Sequence, residues 1–394
     1  MNILPINIAV IDDGINEELY QTGRLVHNLE ITHDLIVRER AGYDPLLPSH
    51  GTICAAIIKK YSPEAVISSV KILNSESRTG MKAQLIRALQ WCVDNRISIV
   101  NLSLGTIDYR DFAQVKEVVE YACEKNLIIV AACNNRNIYT CPASFERVIG
   151  VKCDLTGVLN EGEYTFNSDC MDGIDITAFA KHNLKKYDGT EKETSQCNSY
   201  AAPLVTAHVY NLIKNNANMT PSKIKGELQK TAHNMEQNLN ELPFKELKEP
   251  DIPVIVIYNN GTDNFEKKLT GKFRSDGFNA LCVFENMKEL DICNGYININ
   301  QFYNQNSTSI KKSFYNICNI FCPDILLFTF DNHKSNNIQI TEIADLDADI
   351  QIYVNDTSCI KVKSSYETRT FNPDDNYLDH VYSYILEMFE REEE

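Results

Sequence analysis

The chain has 394 residues, enough for two domains, and its 43% hydrophobic and 23% charged content belongs to a globular protein, not a disordered or fibrous one. A formal net charge of −16 argues against a nucleic-acid partner, whose phosphates demand a basic face. No run of about eighteen apolar residues occurs, so no membrane span is expected. Residues 1–5 run straight into an apolar strand with no signal segment. The 13 cysteines are odd in number and scattered through core-like positions such as Cys54, Cys92 and Cys123. Reduced thiols and a cytoplasmic location are therefore expected.

In chain order, residues 6–11 form a short apolar run ending in Asp12-Asp13-Gly14. That is the pattern of a buried parallel strand with carboxylates at its carboxyl end, where active sites collect in open α/β sheets. A segment over 25–38 and a loop over 41–48 lead to Ser49-His50-Gly51-Thr52, which opens an apolar helical run. A strand is expected over 65–73. A helix over 81–95 follows, with Leu85, Ile86, Leu89 and Val93 on one stripe. A strand over 97–102, a helix over 112–125 and a strand over 127–132 repeat the alternation, which predicts a doubly wound parallel sheet. Ser199 then stands as the expected N-cap of a buried helix carrying Pro203, and Thr220-Pro221 opens another helix running to Thr231.

Beyond a polar, charge-rich link the pattern restarts. Strands are expected over 252–258, 280–285, 324–330 and 350–355, and helices over 310–322 and 377–394. The fold class is thus α/β, a doubly wound parallel sheet followed by a second, smaller α/β domain. The expected division is 1–238, a linker over 239–250, and a C-terminal domain over 251–394 with no catalytic motif. Asp345, Asp347 and Asp349 read better as a strand edge or solvated turn than as a metal cluster. Cys318 and Cys322 lack a second Cys or His pair and read as packing.

Asp12, His50 and Ser199, in that order, carry the residue types of nucleophilic catalysis: a hydroxyl, a base for its proton, and a carboxylate to orient the base. Each alone also has an ordinary reading, Asp12 as a turn carboxylate, His50 as a satisfied polar residue, Ser199 as a cap. Their contexts resemble the subtilisin-like serine peptidases. That family shows Asp-x-Gly after an apolar strand, His-Gly-Thr-x-x-Ala at a helix start, and Gly-Thr-Ser-x-Ala-x-Pro at the nucleophile. Here the matches are Asp12-Asp13-Gly14, His50-Gly51-Thr52 with Ala55, and Ser199-Tyr200-Ala201-Ala202-Pro203. Asn101-Leu102-Ser103-Leu104-Gly105, Ala131-Ala132-Cys133-Asn134 and Pro142-Ala143 match between them, so that the resemblance covers residues 6–232.

The resemblance implies a sheet of subtilisin type and a triad of Asp12, His50 and Ser199. It assigns oxyanion donors to Asn134 and the Ser199 N–H, leaving Asn135 as an ordinary loop residue. It makes Ser103, Leu104 and Gly105 the edge that binds the substrate backbone, and places Cys133 and Thr140 at the first specificity pocket, where side chains predict a preference for small residues before the cut. Asp13 fills a site where the family prefers a hydroxyl. Cys197-Asn198 replaces the family's Gly-Thr, and Cys133 replaces its Gly. No cofactor and no metal are expected; the partner is a peptide or protein substrate. The expected function is an intracellular serine endopeptidase that processes a specific precursor peptide. The alternative is a catalytically impaired subtilisin-like scaffold that binds a peptide or protein. The oligomeric state is left open.

Overall fold

The computed structural model describes residues 6–74, 77, 79–168, 170–216, 219–233, 250–259, 264–285, 287, 290–302, 310–330, 346–354, 359–372 and 376–392, and it falls into two compact units, 1–243 and 244–394. All of the expected linker except residue 250, and Asp345, lie outside the described residues.

In the first unit the elements run β1 (Asn7–Asp12), β2 (Asn28–Ile31), β3 (Val37–Glu39), α1 (His50–Tyr61), β4 (Val66–Lys71), α2 (Lys82–Asp94), β5 (Ile99–Leu102), α3 (Tyr109–Glu124) and β6 (Ile128–Ala132). They continue with β7 (Ile149–Cys153), β8 (Tyr164–Phe166), β9 (Ile176–Ala178), the hairpin β10 (Asn183–Lys185) and β11 (Glu191–Glu193), α4 (Asn198–Asn215) and α5 (Pro221–Thr231). The main sheet has the order β3-β2-β4-β1-β5-β6-β7-β9-β8 and is parallel except at its edges, where β3 and β8 run antiparallel to their neighbours. Both faces are covered. Ile8 and Val10 join α1, α4 and α5 in one apolar cluster, while Ala9 and Ile11, which point to the opposite face, are buried just as fully. A strand covered on both faces reads as a continuous apolar run, which is why β1 and β6 are uninterrupted in sequence.

This topology places the site. In the parallel register Ile11 faces Leu102, and Leu102 faces Ala131. Asp12, Ser103 and Cys133-Asn134 therefore leave the carboxyl ends of three adjacent strands, the edge at which open α/β sheets bind ligands.

The second unit has β12 (Val254–Asn259), α6 (Phe265–Ser275), β13 (Ala280–Phe284), β14 (Tyr296–Asn298), α7 (Ile310–Phe321), β15 (Ile325–Phe330), β16 (Ile350–Val354), β17 (Ile360–Ser364), β18 (Thr368–Phe371) and α8 (Tyr377–Glu392). Its sheet order is β14-β13-β15-β12-β16-β17-β18; the first five are parallel and the last two antiparallel. Phe265, Leu269 and Phe273 of α6 pack with Val381, Ile385 and Met388 of α8 in a core of its own. Asp349 immediately precedes β16, and its Oδ2 accepts the Val254 N–H at 2.7 Å. Cys318 is buried in α7, whereas Cys322 lies past the helix end with φ 45°. All 13 cysteines are free thiols. No described helix is long and apolar enough to cross a membrane.

Candidate active site

The His50 ring is fixed from two directions. Its Nδ1 lies 2.8 Å from Asp12 Oδ2, and its other face stacks on Tyr200, with centroids 5.3 Å apart and planes at 28°. Asp12 is 1% exposed and His50 8%, so this pair is shielded from bulk water. Asp12 Oδ1 in turn accepts the Asp13 N–H at 2.8 Å. A carboxylate accepting from Nδ1–H holds the tautomer whose Nε2 is free to take a proton. Burial pushes the Asp12 carboxyl up, with the His50 bond pulling the other way. For His50, burial opposes the charged ring, but Cys54 and Asp12 outweigh it and hold the imidazole above its ordinary range.

Asp13 supports the base through the main chain. Its Oδ2 accepts the His50 N–H at 3.0 Å and its Oδ1 the Gly51 N–H at 2.8 Å, while Ser49 Oγ, at the N-cap, accepts from Thr52 N at 3.2 Å. The first N–H groups of α1, orphaned in any helix, are thereby all satisfied, with a negative charge at the positive helix end. Gly51 is required here, since a Cβ would sit 2.7 Å from the Gly14 carbonyl oxygen and 3.1 Å from Asp12 Cβ. Asp13→Ala leaves two buried donors unpaired at about 1–3 kcal/mol each. It should lower the thermal midpoint by several degrees and reduce kcat as His50 loosens. An unchanged melting curve would show that the carboxylate is dispensable.

Ser199 is not the helix cap. α4 begins at Asn198, its N-cap is Cys197 in extended conformation with no side-chain cap bond, and Ser199 lies within the first turn. The reason is a cap supplied from elsewhere: Asn135 Oδ1 accepts the Asn198 N–H at 3.1 Å, which gives the supposed ordinary loop residue a structural task. Ser199 is released from capping. Its Oγ donates to the Ser103 carbonyl at 3.4 Å, and Ser103 Oγ donates to the Ser199 carbonyl at 2.8 Å. Asn101 extends this link, donating to Ser103 Oγ at 3.2 Å and accepting from Thr206 Oγ1 of α4 at 2.9 Å. So β5 and α4 are joined side chain by side chain beneath the site.

Asn134 is half-buried at the end of β6. Its Oδ1 accepts the Arg136 N–H at 2.8 Å, which settles the amide orientation and leaves Nδ2 as the donor. A carboxylate-oriented imidazole, a serine in the first turn of a buried helix bonded to the end of β5, and an amide just past the end of β6 thus lie on the carboxyl side of a doubly wound sheet.

The subtilase family model matches residues 5–269, ending inside the second unit. The chain belongs to the subtilase family. Among its relatives, the minor extracellular protease Epr of Bacillus subtilis (strain 168) is 29% identical over 50% of this chain, which spans only 31% of Epr. Subtilisin BL of Lederbergia lenta is 25% identical over 58% of this chain and 83% of its own. A solved cold adapted subtilisin-like serine proteinase shares 22% identity, covering 57% of this chain and 81% of its own with a TM-score of 0.46. The enzyme class of this subtilase is that of its family, serine endopeptidase.

Among the other expected residues, Gly105, Thr140 and Cys133 lie against one another. Ser103 is buried, Leu104 half-buried and Gly105 exposed, and Thr106 pairs with Cys141 through mutual N–H to carbonyl bonds of 2.8 and 2.9 Å. Thr140 lies against this segment: a Cβ on Gly105 would meet Thr140 Cγ2 at 2.8 Å. Cys133 Sγ sits 3.7 Å from Thr140 Oγ1 and donates to the Ile138 carbonyl at 3.4 Å. Thr140 Oγ1 donates to the Ile138 carbonyl at 2.6 Å and accepts the Asn134 N–H at 3.0 Å. Tyr200, which stacks on His50, also lines a cavity of about 360 Å³ together with Tyr20, Ile53, Lys192, Glu193, Thr194 and Ser195.

Cys54 is the site residue that sequence reading passed over as core. It stands one helical turn after His50, fully buried, with Sγ 4.0 Å from His50 Nδ1, 3.4 Å from Ser103 Oγ and 3.7 Å from the Ser199 carbonyl. The i, i+4 spacing on α1 was the available signal. Asp12, His50 and Cys54 offer donor atoms within 4.8 Å of one another, a set that could hold a cation only by displacing the proton between Asp12 and His50.

Proposed function

We propose that this chain hydrolyses peptide bonds through an acyl-enzyme formed on Ser199. The observation that carries the reading is the 2.8 Å contact between His50 Nδ1 and Asp12 Oδ2 at the end of β1, next to the end of β5 to which Ser199 of α4 is bonded. Ser199 Oγ attacks the carbonyl carbon as His50 Nε2 takes its proton, and Asp12 stabilises the imidazolium. Asn134 Nδ2 and the Ser199 N–H, one of the unpaired donors of a first helical turn, receive the oxyanion. His50 then protonates the leaving amine, and water releases the acyl group by the reverse proton path. No cofactor takes part. Residues before the cut lie along Ser103, Leu104 and Gly105 as an added strand. The cavity beside Tyr200 receives those after it.

The substrate in this reading is a precursor peptide cut at few sites. Cys133 and Thr140 narrow the first pocket, and the free thiols support an intracellular, reducing compartment. We read residues 251–394 as a separate domain in support of the peptidase. One observation favours a second reading, an impaired scaffold that holds its peptide uncut: Ser199 Oγ donates to the Ser103 carbonyl rather than to His50. Labelling with a fluorophosphonate probe separates the two. Rapid modification that is lost in Ser199→Ala supports the peptidase, and an unlabelled protein supports the scaffold.

The pocket reading has its own test. Thr140→Ser keeps the hydroxyl bonds to Asn134 and Ile138 and deletes only the methyl that abuts Gly105. The wild type should prefer Gly, Ala or Ser before the cut, and the variant should gain about tenfold for a larger residue, since forcing one extra group into a filled slot costs about 1–3 kcal/mol. Peptide-library profiling reads this out. Dominant Phe, Tyr or Leu in the wild type would mean an open pocket.

A further inference from the structure

We infer that Asn198 is the positioning residue that sets the Asn134 donor relative to the nucleophile; the inference rests on the roles proposed above for Ser199 and Asn134. Asn198 is 1% exposed, and its whole amide is engaged. Oδ1 accepts the Cys153 N–H at 2.7 Å, and Nδ2 donates to the Asn134 carbonyl at 2.8 Å and to Asn137 Oδ1 at 2.9 Å. Its own N–H reaches Asn135 Oδ1 at 3.1 Å. One residue thus joins the start of α4, immediately before Ser199, to the end of β7 and to three residues of the loop that carries Asn134.

That loop needs such a tie. Residues 134–137 follow β6 without regular secondary structure, and Asn137 sits at φ 54°. Inside the loop, Asn137 N donates to the Asn134 carbonyl at 2.8 Å and Arg136 N to Asn134 Oδ1 at 2.8 Å. From outside, Asn198 grips the Asn134 carbonyl, and Thr140 Oγ1 takes the Asn134 N–H at 3.0 Å. The main chain of Asn134 is clamped at both polar atoms and its side-chain oxygen is occupied, so Nδ2 keeps one direction. A fully satisfied buried amide network is rigid, whereas a partly satisfied one is costly. Threonine, which the family carries at this place, offers a single hydroxyl and cannot make the same three-way link. The departure from Gly-Thr is on this view a replacement device rather than a defect.

The test uses the full chain, with active sites counted by fluorophosphonate, and measures kcat, KM and the inhibition constant of a peptide aldehyde of matching sequence. Asn198→Asp keeps the acceptor for Cys153 but turns a carboxylate oxygen toward the Asn134 carbonyl and Asn137 Oδ1. It should lower kcat by about 100-fold, the scale of a small misplacement in an active site, and leave KM unchanged. Aldehyde affinity should fall in parallel with kcat/KM, because it reads the same oxyanion donors. Asn198→Thr should lose activity in the same pattern, and it carries the test if Asn198→Asp fails to fold. Asn137→Gly, which tolerates the positive φ and removes one acceptor, should show a smaller loss of the same kind. Per-site kcat equal to wild type with only a lowered melting temperature, or a loss confined to KM, overturns the inference while the peptidase reading stands. A wild type that neither labels nor cleaves overturns both.

Discussion

Ser199→Ala abolishes peptide-bond cleavage and leaves the fold in place. Removing the hydroxyl removes the only atom proposed to bond to the acyl carbon, and in enzymes of this mechanism the loss is about 10⁶ in kcat. The structural price is small. Ser199 does not cap α4, and its one described side-chain bond, to the Ser103 carbonyl, is long at 3.4 Å, which places its loss within about 1 kcal/mol. Turnover of a peptide substrate and a thermal melt decide the matter together. Cleavage at the wild-type rate sinks the triad; lost cleavage with a collapsed melt says only that the residue matters to folding.

Asp12→Asn is expected to lower kcat by about 10⁴, because the amide can present N–H toward His50 Nδ1 and select the wrong tautomer. A pH profile adds a signed test. His50 must be neutral to accept the serine proton, and its imidazole is held above the ordinary range against the effect of burial, by Cys54 and Asp12. The acidic limb of kcat/KM should therefore lie at higher pH than the ordinary imidazole value of about 6.5. Removing the Asp12 charge destabilises the imidazolium, so in the variant the limb moves to lower pH. A limb that stays in place, or moves upward, would mean that His50 is not the titrating base or that Asp12 does not act on it.

The residues of the candidate site stand out in the sequence because chemistry and topology coincide in them. Asp12 ends an unbroken apolar run, His50 opens a helix, and Ser199 precedes small residues, and each context follows from burial on both faces of one sheet. Less legible were roles set by distant partners. Asn135 caps α4 from another loop, Asp13 grips the start of α1, and Cys54 reaches Ser103 and Ser199; no local spacing states those partners. The same holds for short elements. β10 and β11 are three residues each, and Glu191–Glu193 is fully exposed, so only their mutual pairing makes them strands. α6 escaped because its stripe is confined to Phe265, Leu269 and Phe273 amid charges, and α8 completes the core that it joins.

The staple between β5 and α4 bears on how the enzyme comes into being. Asp12 and His50 belong to the first strand and first helix of the chain, but Ser199 arrives on α4, which packs against α1, β5, β6, β7 and β9, elements that all precede it in sequence. Contacts so remote in sequence form late and slowly. During synthesis, which delivers the N-terminal part first, the proposed base and its carboxylate exist for some time without the proposed nucleophile. In the proposed mechanism, proteolytic competence therefore waits on the docking of α4 against strands that are all made before it.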